Sequence, residues 1–278
     1  MTKVIAVTNQ KGGVGKTTTS INLAASLAYY GKNVLLIDLD PQGNATMGSG
    51  INKQTLTKTA NEVLLGEADI NDCIIETPAG HALLPSNGDL TVAEIKLLQM
   101  IARESRLKTA LKSLKDDFDY VVIDCPPSLN TLTLNSLVAA NSVLIPMQCE
   151  YYAMEGLTGL LFTVEQINET INPDLHLEGI LRTMYDGRNR LTQDVSAQIS
   201  SHFPGQVFNT VIPRNVRLAE APSHGLPALL YDKDSAGAKA YLVLTAELLS
   251  REEKRQQAEK GLMRQSVPAK EGVLEVKD

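Results

Sequence analysis

Between Asn9 and Thr19 the chain reads NQKGGVGKTTT. Its glycines, lysines and threonines are spaced for holding a polyanion. Glycine lets backbone N–H groups approach a ligand closely, lysine brings positive charge, and a threonine hydroxyl can serve a divalent cation. The order approaches the phosphate-binding loop G-x-x-x-x-G-K-[ST], with Gly15, Lys16 and Thr17 in register. One position departs from it. The first glycine of that pattern falls on Gln10, and Lys11, Gly12 and Gly13 follow instead. In this reading the backbone of Gly12, Gly13, Val14 and Gly15 cradles phosphate oxygens. Lys16 reaches the β and γ phosphates of a nucleoside triphosphate, Thr17 serves Mg²⁺, and Thr18 lies near the α phosphate. Lys11 is a second lysine for which one such loop has no use.

Two further stretches carry carboxylates. VLLIDLDPQGNAT (Val34 to Thr46) ends an apolar run in Asp38 and Asp40, followed by a Pro-Gln-Gly turn. At the carboxyl edge of a parallel strand such acids face the crevice where ligands bind. Asp40 is the one expected to orient an attacking water, whereas Asp38 reads equally well as a solvated loop acid. YVVIDCPPS (Tyr120 to Ser128) is an apolar run ending in Asp124, placed to hold Mg²⁺ directly or through water. Pro126 and Pro127 stiffen the loop after it.

These groups need a scaffold that brings loop ends together. Short apolar runs at Lys3–Asn9, Asn33–Asp38, Tyr120–Asp124, Ser142–Met147, Leu177–Thr183 and Val207–Ile212 read as strands covered on both faces. Helical patterns lie between them, at Lys16–Tyr30, Leu90–Lys115, Leu132–Ala140, Glu155–Ile171 and Thr192–Phe203, with a last helix from about Ser235 to Glu259. Strands alternating with helices predict an α/β fold, a mostly parallel twisted sheet with helices on both faces. The phosphate loop then sits between a strand and a helix N-terminus, the context its chemistry requires. No internal repeat or linker interrupts the pattern, so residues 1–260 are expected to form one domain and residues 261–278 a mobile tail.

Composition narrows the function classes. Of the 278 residues, 43% are apolar, which supports a real core, but aromatics are only 4% and Trp is absent. The core must therefore rest on Leu, Ile, Val and Ala. A net charge of -6 argues against a nucleic-acid binder with charge spread over its whole surface, though not against a local basic patch. Cys73, Cys125 and Cys149 form no C-x-x-C pair, and an odd count suits a reducing cytosol. No signal peptide and no run long enough to span a bilayer is apparent, so a cytoplasmic protein is expected.

The loop Lys11-Gly12-Gly13-Val14-Gly15-Lys16-Thr17, together with DLDPQGNAT and DCPPS, resembles the ParA/Soj/MinD family of P-loop ATPases with a deviant Walker A loop. TMYDGR (Thr183 to Arg188) and IPRNVRLAEAPSHGLP (Ile212 to Pro227) are similar to its small chromosomal ParA branch, and the resemblance covers roughly residues 1–250. It implies an Mg²⁺-dependent ATPase acting in chromosome or plasmid partition. ATP drives a face-to-face homodimer in which Lys11 crosses to the partner's phosphates. Asp40 matches the hydrolysis acid, and Pro213 and Asn215 match residues that hold the adenine. The resemblance further implies non-specific double-stranded DNA, a ParB-like protein that stimulates hydrolysis, and a nucleoid location. Arg182, Arg188, Arg190, Arg214 and Arg217 are candidates for a DNA patch, with Arg188 and Arg217 matching the family's DNA-contacting positions best. Two other classes share the loop. A MinD-like membrane switch needs an amphipathic C-terminal helix, which Pro268 and Gly272 interrupt here. An iron–sulfur electron carrier needs two cluster cysteines per subunit in suitable loops, with Cys125 and Cys149 at strand ends as the candidates.

Overall fold

The computed structural model describes residues 2–115 and 117–265. Among these residues eight strands form one sheet: β1 (Lys3–Val7), β2 (Val34–Asp38), β3 (Ile75–Glu76), β4 (Ala82–Leu84), β5 (Tyr120–Asp124), β6 (Ser142–Gln148), β7 (His176–Tyr185) and β8 (Val207–Pro213). Their order is β3-β4-β2-β5-β1-β6-β7-β8. Only β3 and β4 pair antiparallel; the other neighbours are parallel. The helices are α1 (Lys16–Tyr29), α2 (Asn44–Gly48), α3 (Ala60–Leu65), α4 (Leu90–Leu97), α5 (Arg106–Leu111), α6 (Thr131–Ala139), α7 (Ala153–Thr170), α8 (Arg190–His202), α9 (Val216–Glu220), α10 (Ala228–Tyr231) and α11 (Ala236–Gln265).

The central strands are apolar throughout because both sheet faces are covered, and their two-residue period divides the core. Val4 and Ala6 of β1, Leu35 and Ile37 of β2, and Val121 and Ile123 of β5 pack under α3 to α8. Their neighbours Ile5, Val7, Val34, Leu36, Tyr120 and Val122 pack under α1, α2 and α9 to α11. Each fully buried Leu or Ile contributes roughly 1.5–3 kcal/mol relative to exposure. Helices α1 and α11 pack against each other across this second face, and the hydroxyls of Thr19 and Tyr241 meet there at 3.1 Å.

Strand β1 has β5 on one side and β6 on the other. The chain leaves β1 through α1 toward β2, then returns to build β6, β7 and β8 on the opposite side. This is a topological switch point, and it opens a crevice beyond the carboxyl ends of the strands. The loop Thr8–Gly15 lies at that point.

Two expectations need correction, and one element was not expected. The helix expected over Leu90–Lys115 is broken: α4 ends at Leu97, Ala102 adopts φ 51°, and α5 begins at Arg106. A continuous helix would carry Leu107 along its axis and away from the core. The turn brings Leu107 under cover, pinned by buried Asn135, whose Nδ2 donates to the Arg103 carbonyl (2.8 Å) and whose Oδ1 accepts from Leu107 N–H (3.1 Å). The hairpin β3–β4 was not expected, because its strands are too short to show a period. The last helix runs past Glu259 to Gln265, and so includes the first residues of the expected tail; the rest of that tail lies outside the described residues.

His81 closes the β3–β4 turn and is 1% exposed, and among the described residues neither ring nitrogen has a hydrogen-bond partner. Burial pushes its pKa down from 6.5 to about 4, so the fold holds the neutral ring. The unfolded chain therefore takes up the proton first. The stabilisation is complete above pH 6.5 and is lost as pH falls toward 4. Urea unfolding at pH 7.5 and pH 5 should show the wild type losing about 2 kcal/mol more than His81→Leu. Equal losses in the two proteins would remove this role for His81.

Candidate active site

The phosphate loop is fastened at both ends. Asn9 Nδ2 donates to the Pro146 carbonyl on β6 (2.8 Å), and its Oδ1 accepts from Lys11 N–H (3.0 Å). Farther along, Thr183 Oγ1 at the end of β7 donates to the Val14 carbonyl (2.8 Å). Gly15 is the N-cap of α1 at φ 87°, a left-handed conformation that strains any side chain. The following N–H groups of α1 have no intrahelical acceptor and point into the crevice, where the helix dipole favours an anion. Lys16 is 7% exposed, and its Nζ donates back to the Lys11 carbonyl (3.2 Å).

Beneath the loop, Asp38 and Asp124 occupy the same register on β2 and β5, and both are fully buried. They have different partners. Asp38 Oδ2 accepts from Thr46 N–H (2.8 Å) and Thr46 Oγ1 (2.7 Å), and its Oδ1 accepts from Asp40 N–H (3.1 Å). This carboxylate holds α2 and the turn before it, a structural task that neither sequence reading of Asp38 anticipated. Asp124 Oδ1 accepts from Ser20 Oγ on α1 (2.9 Å), while Oδ2 is buried and, among the described residues, has no hydrogen bond of good geometry, the Thr17 hydroxyl lying beside this carboxyl. Burial, together with the neighbouring Asp38 charge, pushes the Asp124 carboxyl up to about 8. Burial raises Asp38 to about 6 against the hydrogen bonds from Thr46. Lys16 is drawn below its ordinary value by burial, against the attraction of Asp124. An unpartnered buried carboxylate oxygen beside Thr17 fits a divalent cation, which would supply the missing positive charge.

Asp40 is 8% exposed and lines the cleft with Gly12, Gly13, Lys16 and Thr17. Its Oδ1 accepts from Gln42 N–H (2.9 Å), and its carbonyl accepts from Gly43 N–H (2.8 Å) and Ser86 Oγ (2.8 Å). Gly43 sits at φ 60°, where a Cβ would lie 2.8 Å from the Ser86 carbonyl oxygen, so only glycine closes this turn. Pro127 lines the same cleft.

A second cavity of about 190 Å³ adjoins the first, lined by Ile212, Pro213, Asn215, Leu218 and Tyr241 among others. Gly15, Thr18 and Met184 belong to both cavities, so the two form one cleft. Its apolar part has the size and lining for a planar base, and its glycine-rich part suits phosphates. Asn215 Oδ1 accepts from Leu218 N–H (3.3 Å) as the N-cap of α9, which leaves its side-chain N–H₂ to offer a ligand. Thus the structure gathers Gly12, Gly13, Gly15, Lys16, Thr17, Thr18, Asp40, Pro213 and Asn215 around one space. Val14 is buried behind the loop, with its carbonyl held by Thr183.

Sequence reasoning missed Thr46, Ser86, Thr183 and Met184. Thr46, Thr183 and Met184 lie within the stretches that carry the family resemblance, but the residue type of none of the four shows the contact it makes in the fold. Met184 is a non-glycine residue at φ 48°, on an irregular stretch of the β7–β8 pairing.

Lys11 lies elsewhere. Its side chain is 49% exposed, and its ammonium pairs with Glu150, just beyond β6. The arginines also divide. Arg182 is built into the fold by bonds to Ser196 Oγ (2.8 Å) and the Phe208 carbonyl (2.7 Å), which corrects its inclusion in a surface patch. Arg188 is 91% exposed and pairs with Asp186 within its own turn, and Arg190 is similarly exposed beside Asp194. Arg217 bridges Glu220 (2.7 Å) and Asp232 (3.2 Å). Cys125 and Cys149 are buried, and burial raises their thiols to about 12 and about 11, the reverse of what a thiolate ligand in an exposed loop requires. Among the described residues no helix is long and apolar enough to cross a membrane. The segment of the tail broken by Pro268 and Gly272 lies outside those residues.

A family model described as AAA domain matches residues 2–177. The sporulation initiation inhibitor protein Soj of Bacillus subtilis is 53% identical over 249 residues, covering 89% of this chain and 98% of its own. The chromosome partitioning protein ParA of Caulobacter vibrioides is 49% identical over 257 residues, covering 91% and 96%. Among solved structures, cobyrinic acid a,c-diamide synthase from Mycobacterium smegmatis, with bound ATP analog and magnesium, superposes with a TM-score of 0.79 at 42% identity, covering 90% of this chain and 95% of that one. Identity at this level over nearly the full length of both chains means that the chain belongs to the ParA/Soj family of deviant Walker A ATPases.

Proposed function

We propose that this protein is an ATP-dependent partitioning ATPase, which binds Mg²⁺–ATP in the cleft, self-associates around it and holds DNA until hydrolysis. The observation that carries this reading is the single cleft joining an apolar base cavity to the glycine loop, with Asp40 on its wall and the unpartnered oxygen of Asp124 beneath. Partition, rather than the chemistry named for the mycobacterial protein, follows the two relatives of higher identity.

Each residue has a physical task. Pro213 packs on the adenine and Asn215 donates to it. The N–H groups from Gly12 to Thr18 receive the phosphates, and Lys16 leaves the Lys11 carbonyl to neutralise the β and γ oxygens. Thr17 and Asp124 hold Mg²⁺, which when bound withdraws charge from the phosphate oxygens. Asp40 orients and polarises the water that attacks the γ phosphate, giving ADP and phosphate. Lys11, half exposed at the rim of the loop, serves the nucleotide of a second copy. Arg188 and Arg217 contact DNA phosphates without reading sequence, a ParB-like partner accelerates hydrolysis, and the protein works in the cytoplasm on the nucleoid. Residues 1–260 act as one unit.

Replacing Lys16 with Ala removes a charge-assisted contact worth about 1.5–3 kcal/mol, so nucleotide affinity should fall roughly 10- to 100-fold. ATP-dependent dimers should then disappear in light scattering; dimers at wild-type levels would remove Lys16 from this role. Asp40→Ala should bind ATP within a few-fold of wild type yet turn over at least about 100-fold more slowly. It should accumulate on DNA, and unchanged phosphate release would exclude the proposed task. Arg188→Ala and Arg217→Ala should keep ATP-dependent dimerisation but lose retention on duplex DNA, with a shallower dependence on salt. Wild-type retention at low salt would place the patch elsewhere, and retention by liposomes instead of DNA would favour a membrane-positioning switch.

A further inference from the structure

The contacts of Lys11 point to a competitor inside the same chain. Its ammonium pairs with Glu150, and its carbonyl accepts from Lys16 Nζ (3.2 Å). Both the ammonium and the carbonyl of Lys11 are therefore engaged by groups of its own chain. The two ends of the Lys11–Glu150 pair are set by one strand. Asn9, which fixes Lys11 N–H, is tied to Pro146 of β6, and Glu150 follows two residues after β6 ends. Glu150 also begins the turn into α7, since its carbonyl accepts from Ala153 N–H (3.0 Å). Beside it stand Tyr151 and Tyr152, packed edge to face and 76% and 72% exposed.

We propose that Glu150 is a positioning residue that holds Lys11 on its own subunit and so sets the nucleotide threshold for self-association. This rests on the reading above, in which Lys11 serves the nucleotide of a second copy. One carboxylate competes with a polyphosphate for one ammonium. A triphosphate carries more charge than Glu150 and displaces it more readily than a diphosphate does. When Lys16 moves to the phosphates it also releases the Lys11 carbonyl, so filling the cleft loosens the residue that must cross. The pair is half exposed at both ends, and pairs of that kind contribute about 1.4- to 5-fold in an equilibrium constant. A two-fold assembly breaks one pair in each copy, so the factor enters squared, roughly 2- to 25-fold.

The test is dimer affinity, measured by sedimentation with a non-hydrolysable ATP analogue, for wild type, Glu150→Gln and Lys11→Ala. Glu150 is on the surface, and circular dichroism checks that the variants remain folded. Glu150→Gln should dimerise about 2- to 25-fold more tightly than wild type at low salt, with the gap closing at high salt as screening weakens the pair. Its affinity for monomeric nucleotide should not change. Unchanged or weaker dimerisation of Glu150→Gln, beside a wild type that dimerises and a Lys11→Ala that does not, overturns the competitor while leaving the role of Lys11 intact. A gap that persists at high salt also overturns it, because a purely structural effect is not screened. If the wild type fails to dimerise, or Lys11→Ala dimerises as well as it does, the underlying reading falls and this inference with it.

Discussion

Asp38 and Asp124 end adjacent strands at one register, and both are shut away from water. Two carboxylates that close cannot both stay ionised in a buried site without cations or hydrogen bonds to offset them. Much of the surrounding structure answers this constraint. Thr46 and the Asp40 backbone satisfy Asp38, which bends the chain after β2 and starts α2. Ser20 satisfies one oxygen of Asp124 and ties α1 to β5. Lys16 sits near enough for Asp124 to pull against its desolvation. The remaining oxygen of Asp124 has no hydrogen bond of good geometry among the described residues, so its charge is the one in this centre that the fold itself does least to offset.

The rest of the cleft is built by distant elements held in register with this centre. Thr183 fastens the phosphate loop to β7, and the backbone at Met184 turns left-handed so that this residue borders both the base and the phosphate cavities. A left-handed non-glycine residue costs of order 1–3 kcal/mol and persists only where its surroundings hold it. Ser86, on the segment after β4, holds the Asp40 carbonyl, so even the short hairpin edge of the sheet contributes to the placement of the acid. Lys11 does not face this centre; its ammonium pairs with Glu150 at the rim.

Much of this was legible beforehand, for identifiable reasons. Gly15, Lys16 and Thr17 act within a few residues of one another, so their spacing alone specifies a loop before a helix. The runs ending in Asp38 and Asp124 are apolar throughout because they are covered on both sides, and that pattern needs no partner to be recognised. The stretch from Leu90 to Lys115 misled for the opposite reason. Its apolar residues continue without a breaker, with Val92, Ile95 and Ile101 left exposed, and the turn is held by buried Asn135 on another helix, which the local pattern cannot show. For the arginines, nearness in sequence could group Arg182 with Arg188 but could not show that Ser196 and Phe208 claim the first.

The sequence by itself determined the α/β alternation, the phosphate loop, the acids at strand ends and the family, because each of these is a local pattern. Tertiary structure alone decided which acid is structural and which is left unfinished. Asp38 and Asp124 look alike in sequence, each closing an apolar run, and differ only in what the fold packs against their oxygens. The same holds for the two lysines of the loop. Lys16 is drawn inward by the helix it begins, whereas Lys11 lies at the rim beside a glutamate far along the chain, where Coulomb attraction depends on distance in space and not on separation in sequence.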